Sequence, residues 1–247
     1  MLEIEKIIIE RLVVRNGELE QEGLLFMPVA GDKEVPLVVQ IHGFNTFGAW
    51  ELIFQSRRLV DKGFAVLLVS QLGFGGSKGP RDYCGPLTVS MVAELVQETL
   101  NNRSFKSVGV WGFSRGAIVA SILLVKYPAL FQAGILQSGV YDFAKDANNK
   151  DKPSDILENV ISETGGTPEA YAERSSIINM EQLQCPVLII HGENDEIISS
   201  DQARMLSERL SAVGKEHTLI IVPKSGHHLS GPAHFKERIL PFLLKNL

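Results

Sequence analysis

Short apolar runs that alternate with helix-compatible stretches constrain this chain more than any other feature. Runs at 35–41, 64–70, 107–111, 133–137, 186–190 and 218–222 have the length and the Val, Ile and Leu content of buried strands. Between them lie stretches of helical character at 49–61, 88–101, 117–125 and 201–213. Strands joined through helices run parallel, and a parallel sheet must have both faces covered. At the amino end, segments 4–14 and 18–26 read as an antiparallel pair turned at Asn16-Gly17, a strong hairpin dipeptide, which is expected at the sheet edge. A mostly parallel eight-stranded α/β sheet with one antiparallel hairpin follows.

One junction in this alternation carries chemistry. Gly112-Phe113-Ser114-Arg115-Gly116 stands between the run 107–111 and the helical stretch 117–125. A strand that turns at once into a helix forces its apex residue into strained backbone angles, tolerable only where the neighbours lack side chains. Gly112 and Gly116 supply that clearance. The Ser114 hydroxyl would then stand over the amino end of a helix, where the dipole and free amides favour developing negative charge. Glycine and serine also cluster in ordinary turns, so the partners decide what the pentad means.

A serine hydroxyl becomes a useful nucleophile when a histidine takes its proton and a carboxylate holds that histidine. The run 186–190 leads into His191-Gly192-Glu193-Asn194-Asp195, and the run 218–222 into Pro223-Lys224-Ser225-Gly226-His227. Asp195 and His227 therefore follow Ser114 in the order Ser, Asp, His, each just beyond a strand, as in an α/β-hydrolase. Glu193 and Glu196 lie near enough to replace Asp195, and His228 near enough to replace His227; Gly226 favours His227. His217 and His234 are expected to be exposed, and His42 and His191 to serve as hydrogen-bonding residues at turns. For the oxyanion of a tetrahedral intermediate, the backbone amide of Arg115 is one donor. The second comes from the loop after the run 35–41, from Phe44 or its neighbour Asn45.

With these residues in place, the chain resembles α/β-hydrolases of the prolyl oligopeptidase and dienelactone hydrolase type over most of its length. The resemblance rests on Gly112-Phe113-Ser114-Arg115-Gly116 through Tyr127-Pro128-Ala129-Leu130-Phe131 and Gln137-Ser138-Gly139-Val140-Tyr141-Asp142. It continues with Pro168-Glu169-Ala170-Tyr171, the segment from Cys185 to Asp195, and Gly226-His227. The peptidase pattern usually has Tyr-Gly-Gly after the serine, where Arg115-Gly116-Ala117 stands here. The amino-terminal propeller that filters substrates in that family is expected to be lacking. His42-Gly43-Phe44-Asn45 with Gly73-Phe74-Gly75-Gly76-Ser77 is similar to small feruloyl and cinnamoyl esterases, in which the residue after His-Gly supplies an oxyanion amide. This resemblance implies an ester substrate and supports Phe44.

Composition fits a compact soluble enzyme. The 247 residues, 45% hydrophobic, suffice for a full core and read as a single domain, 1–247, with a small cap insert at about 141–183 holding two short helices. With 24 Lys and Arg against 29 Asp and Glu, the formal charge of −5 offers no basic surface for nucleic acid or anionic membrane. Cys84 and Cys185 fit no metal or redox motif and are expected as free thiols, and no metal or organic cofactor is implied. The acidic start Met1-Leu2-Glu3-Ile4-Glu5 and the shortness of the apolar run 116–125 lead to a cytoplasmic expectation. Gly73 to Gly79 matches neither phosphate-binding fingerprint and reads as a loop at the rim of the active site. The expected function is a serine hydrolase acting on small carboxylic esters or short peptide amides, with the ester favoured. The alternatives are a serine peptidase of the prolyl oligopeptidase type and a non-catalytic binding protein on the same fold.

Overall fold

The structure, a computed structural model, describes residues 7–28, 34–44, 47–147, 154–229 and 234–247. Among these, eight strands form one sheet: β1 (Ile7–Asn16), β2 (Leu19–Pro28), β3 (Leu37–Ile41), β4 (Ala65–Val69), β5 (Val108–Phe113), β6 (Ala133–Gln137), β7 (Val187–Gly192) and β8 (His217–Val222). Their order is β1-β2-β4-β3-β5-β6-β7-β8. From β4 through β8 every neighbour is parallel, while β2 pairs antiparallel with both β1 and β4. The fold is that of the α/β-hydrolases.

The amino-terminal hairpin lies at the edge, but its turn falls one residue later than Asn16-Gly17. Asn16 pairs with Leu19, so the two-residue loop is Gly17-Glu18. Its first residue has φ +60°, which glycine adopts without steric cost. The expected start of the first strand at Ile4 lies outside the described residues, as does Asn45 in the loop after β3.

Helices cover both faces. Helices α2 (Pro86–Asn102), α3 (Arg115–Lys126) and α7 (Asp201–Ala212) pack on one side over Val39, Leu67, Val110 and Ile189. The other side carries α1 (Ile53–Val60) and the carboxyl-terminal α8 (Leu240–Asn246), over Val38, Trp111, Ile135 and Leu188. This division follows from the pleat, which sends successive side chains of a strand to opposite faces. Between β6 and β7 the chain forms α4 (Phe143–Ala147), α5 (Ser154–Thr164), α6 (Pro168–Glu173) and a 3-10 segment Ser176–Gln182, more helix than the two short elements expected. No helix among the described residues is long and apolar enough to cross a membrane.

Register brings the strand ends level. Ile41 stands opposite Gly112, Phe113 opposite Gln137, and Gly192 opposite Val222. The loops that leave β3, β5, β7 and β8 therefore emerge along one edge, where a parallel sheet of this kind places its ligands. The 73–79 segment backs this edge rather than lining its cavity: Phe74 is buried and packs edge-on against the rings of His42 and Phe44. It is tied to the sheet by Glu22, whose carboxylate accepts from the Gly76 amide at 2.8 Å and the Ser70 hydroxyl at 2.9 Å.

Candidate active site

Ser114 joins β5 directly to α3 with φ +53° and ψ −120°, a conformation that costs a non-glycine residue about 1–3 kcal/mol. Two close approaches show why the pentad needs its glycines. A Cβ at Gly112 would lie 2.2 Å from the Gly116 carbonyl oxygen, and one at Gly116 would lie 2.1 Å from that of Ile41. The Ser114 amide continues the β5–β6 ladder by donating to Gln137 O at 2.8 Å, and its carbonyl opens the helix by accepting from Ala117 N at 2.9 Å. The strain is thus held from both sides.

Three side chains converge there. His227 Nε2 is 2.8 Å from Ser114 Oγ, and His227 Nδ1 is 2.8 Å from Asp195 Oδ2. The carboxylate can only accept, so Nδ1 carries the ring hydrogen and Nε2 is left to accept from the serine. The other Asp195 oxygen accepts from the amides of Ile197 and Ile198, both at 2.9 Å. Burial raises the Asp195 pKa, but hydrogen bonds from His191, His227 and the Ile198 amide outweigh it and hold the carboxyl well below the ordinary carboxylate range. The neighbours are placed otherwise: Glu193 is exposed and accepts from the Lys224 amide at 3.1 Å, Glu196 is exposed, and His228 is exposed beside the Phe113 ring.

His191 does more than close a turn. Its side chain is fully buried, with Nε2 3.0 Å from Asp195 Oδ2 and 3.0 Å from Ile198 O. Both partners accept, so Nε2 is protonated and the ring steadies the oxygen that His227 uses. His42 is closer to its expected role: Nδ1 is 2.5 Å from Gly43 O, and Nε2 accepts from the Gln71 amide at 3.0 Å. Burial, with the Arg115 charge adding to it, lowers its pKa to about 4 against the opposing Gly43 bond. Among the remaining histidines, His217 is half-buried and bonded to Ser207 Oγ at 2.8 Å. His234 is buried rather than exposed, because it heads the terminal helical segment where Phe235 and Ile239 pack into the core, and burial lowers its pKa to about 4.

A cavity of about 240 Å³ opens over Ser114, walled by Phe44, Tyr83, Ile118, Val140 and Ile198. Phe44 reaches it from the loop after β3, and Arg115 from the first turn of α3. The Arg115 amide opens α3, so it has no acceptor within the helix. The Arg115 side chain is not on the surface, where a long side chain on a first helical turn is expected. It is 4% exposed, with Nη2 2.5 Å from Glu163 Oε2 on α5 and its guanidinium 4.4 Å from the Tyr83 ring centroid. Glu163 also accepts from the Tyr83 amide at 2.9 Å. No local signal in the sequence marks Glu163, which reaches the elbow only through the tertiary fold.

The described residues hold no cluster of His, Cys, Asp or Glu suited to a metal. Cys84 and Cys185 are buried free thiols, and burial pushes each up to about 12.

A serine at a strained strand-to-helix junction, hydrogen-bonded to a histidine on the loop after β8, defines the class: a serine hydrolase on the α/β-hydrolase fold, of peptidase or esterase type. The sequence signature of the prolyl oligopeptidase family, Peptidase_S9, matches residues 88–247, and the chain belongs to that family. It is 28% identical to the acylamino-acid-releasing enzyme of Rattus norvegicus, over 88% of this chain and 32% of that enzyme. The Bacillus subtilis uncharacterized peptidase YtmA is 26% identical over 64% of this chain and 62% of its own length. The chain thus spans about a third of the mammalian relative and under two thirds of the bacterial one. Among solved structures, Pyrococcus horikoshii acylaminoacyl peptidase superposes with a TM-score of 0.80 at 18% identity, over 99% of this chain and 42% of that one. The Pyrococcus furiosus esterase Pf2001 superposes with a TM-score of 0.72 at 19% identity, over 97% of this chain and 93% of that one. The shared architecture thus spans both peptidases and esterases.

Proposed function

We propose that this protein hydrolyses small carboxylic esters, and more slowly short peptide amides, through an acyl-enzyme on Ser114. The observation that carries the reading is the continuous hydrogen-bonded relay from Ser114 through His227 to Asp195. His227 takes the hydroxyl proton as Oγ attacks the carbonyl carbon. Asp195 stabilises the resulting imidazolium, and the amides of Arg115 and Phe44 hold the oxyanion. His227 then protonates the leaving alcohol or amine, and water activated by the same histidine releases the acid and restores Ser114. The proposal includes a single domain in which the insert at 141–183 caps the acyl cavity, since Asn159 lines that cavity and Glu163 anchors the α5 helix to Arg115.

Family membership and the acylamino-acid-releasing relatives favour a second reading, a peptidase acting on short peptides. Both use the same nucleophile and differ in the basicity of the leaving group. Comparing kcat/KM for an aryl ester and a peptide amide with the same acyl group tests the choice. An ester-to-amide ratio no smaller than that of the uncatalysed reactions supports the first reading; a ratio far below it supports the second. Turnover of neither by folded protein would leave only a binding role.

A further inference from the structure

A second cavity, of about 280 Å³, lies beside the acyl cavity. Phe44, Phe113 and His228 line both, so the two meet at the loops that flank the serine. What lines the second one is unusual for its position. Gln40 on β3 shares its sheet face with Val38, and Gln137 on β6 shares its face with Ile135, both members of the apolar core beneath α1 and α8. The two glutamines are 2% and 5% exposed. Gln137 Oε1 accepts from Trp111 Nε1 at 3.2 Å, while Gln40 Oε1 has no hydrogen-bond partner among the described residues. An unpaired amide oxygen is unfavourable in an interior, and rotation of the Gln40 amide toward the cavity that its side chain lines pairs this buried oxygen with a ligand.

We infer that this cavity is the leaving-group subsite of the hydrolase, and that it selects alcohols or amines whose far end carries a neutral hydrogen-bonding group, a hydroxyl or carboxamide, which Gln40 and Gln137 bind. The inference rests on the assignment of Ser114 as nucleophile. The departing atom must receive its proton from His227, so it leaves on the side of the loop that carries that histidine. His227 itself lines the first cavity with Ser114, while His228 lines both and Leu229 only the second, so an atom protonated by His227 stands where the two cavities meet; Ile118, Val140 and Ile198 line only the first. Acyl and leaving portions thus fall to opposite sides of the wall formed by Phe44 and Phe113. The two amides supply the donors and acceptors for a neutral group, and Glu51, an exposed carboxylate on the same lining, disfavours an anionic one. A site that hydrogen-bonds a hydroxyl discriminates strongly against the analogue lacking it.

The test uses two acetate esters of similar size and leaving-group basicity, 4-(hydroxymethyl)phenyl acetate and 4-ethylphenyl acetate. Both yield the same acetyl-enzyme, so a difference in kcat/KM reports the leaving-group side alone. The wild-type protein is expected to favour the hydroxymethyl ester by about ten-fold or more, and Gln40→Leu to bring the ratio close to one. Gln137→Met, expected to reduce the ratio in the same direction, serves if Gln40→Leu fails to fold by thermal melting. Fluorophosphonate labelling of Ser114 on the same samples separates the two levels of inference. A labelled enzyme with no preference, or with a preference that survives both substitutions, overturns the leaving-group assignment and leaves the nucleophile in place. A folded wild-type protein that is not labelled overturns the assignment of Ser114 and this inference with it.

Discussion

Arg115 and Glu163, 48 residues apart, meet as a buried ion pair that fastens helix α5 to the first turn of the elbow helix. The side chains are 3% and 9% exposed, so solvent screens the pair little. Removing one partner leaves the other charged and buried. Glu163→Ala is expected to lower the unfolding free energy by about 3 kcal/mol or more. It should also change the preference among acyl chain lengths, because Arg115 and Tyr83 both line the acyl cavity. Urea unfolding together with a series of 4-nitrophenyl esters checks both. A loss under about 0.5 kcal/mol, the range of a surface pair, contradicts the account.

Asp195 and the two adjacent histidines are distinguished by kinetics. Asp195→Asn keeps the shape but exchanges an acceptor for a donor opposite His227, and is expected to reduce kcat by about 10⁴-fold. His227→Ala should be at least as damaging, while His228→Ala, at an exposed ring without a bond to the serine, should leave most of kcat for a simple aryl acetate. Equal losses in His227→Ala and His228→Ala would remove the base from its assigned position.

Acid stability follows from His42. Its folded pKa of about 4 lies below the unfolded value of about 6.5, so the neutral ring stabilises the fold fully above pH 6.5. That contribution fades as pH falls through this window, because the unfolded chain takes up the proton first. The loss reaches on the order of 3 kcal/mol once pH is below the folded value. His234, lowered to about 4 by burial and by Arg238, adds a loss of the same sign. Urea midpoints between pH 7 and pH 4 should therefore fall steeply, and His42→Gln should flatten the curve. An unchanged slope in that variant would show that His42 is not the group responsible.

The sheet and the elbow were legible because their signals are local. The apolar runs mark strands directly, and the glycines around Ser114 reflect a steric demand that a pentapeptide can display. Asp195 and His227 could be singled out because each stands just past a strand in a sheet whose strand ends are level. Gly226 favoured His227 over its neighbour His228, and the structure brings His227, not His228, within hydrogen-bond distance of Ser114. The contact of His191 with Asp195, the burial of His234 and the pairing of Glu163 with Arg115 depend on side chains packed from separate segments. No periodicity or spacing encodes those. Gln40 and Gln137 are subtler still: each reads as one polar residue in an apolar strand, and only the sheet places them along one wall.

The central claim is an activated serine at position 114. Intact protein and Ser114→Ala, each treated with a fluorophosphonate at neutral pH and weighed by mass spectrometry, test it most directly. One adduct per chain, mapped to Ser114 and missing from the folded variant, is the predicted result, with esterase turnover reduced about a million-fold in that variant. An adduct on another residue, or turnover that survives the substitution, would contradict the account.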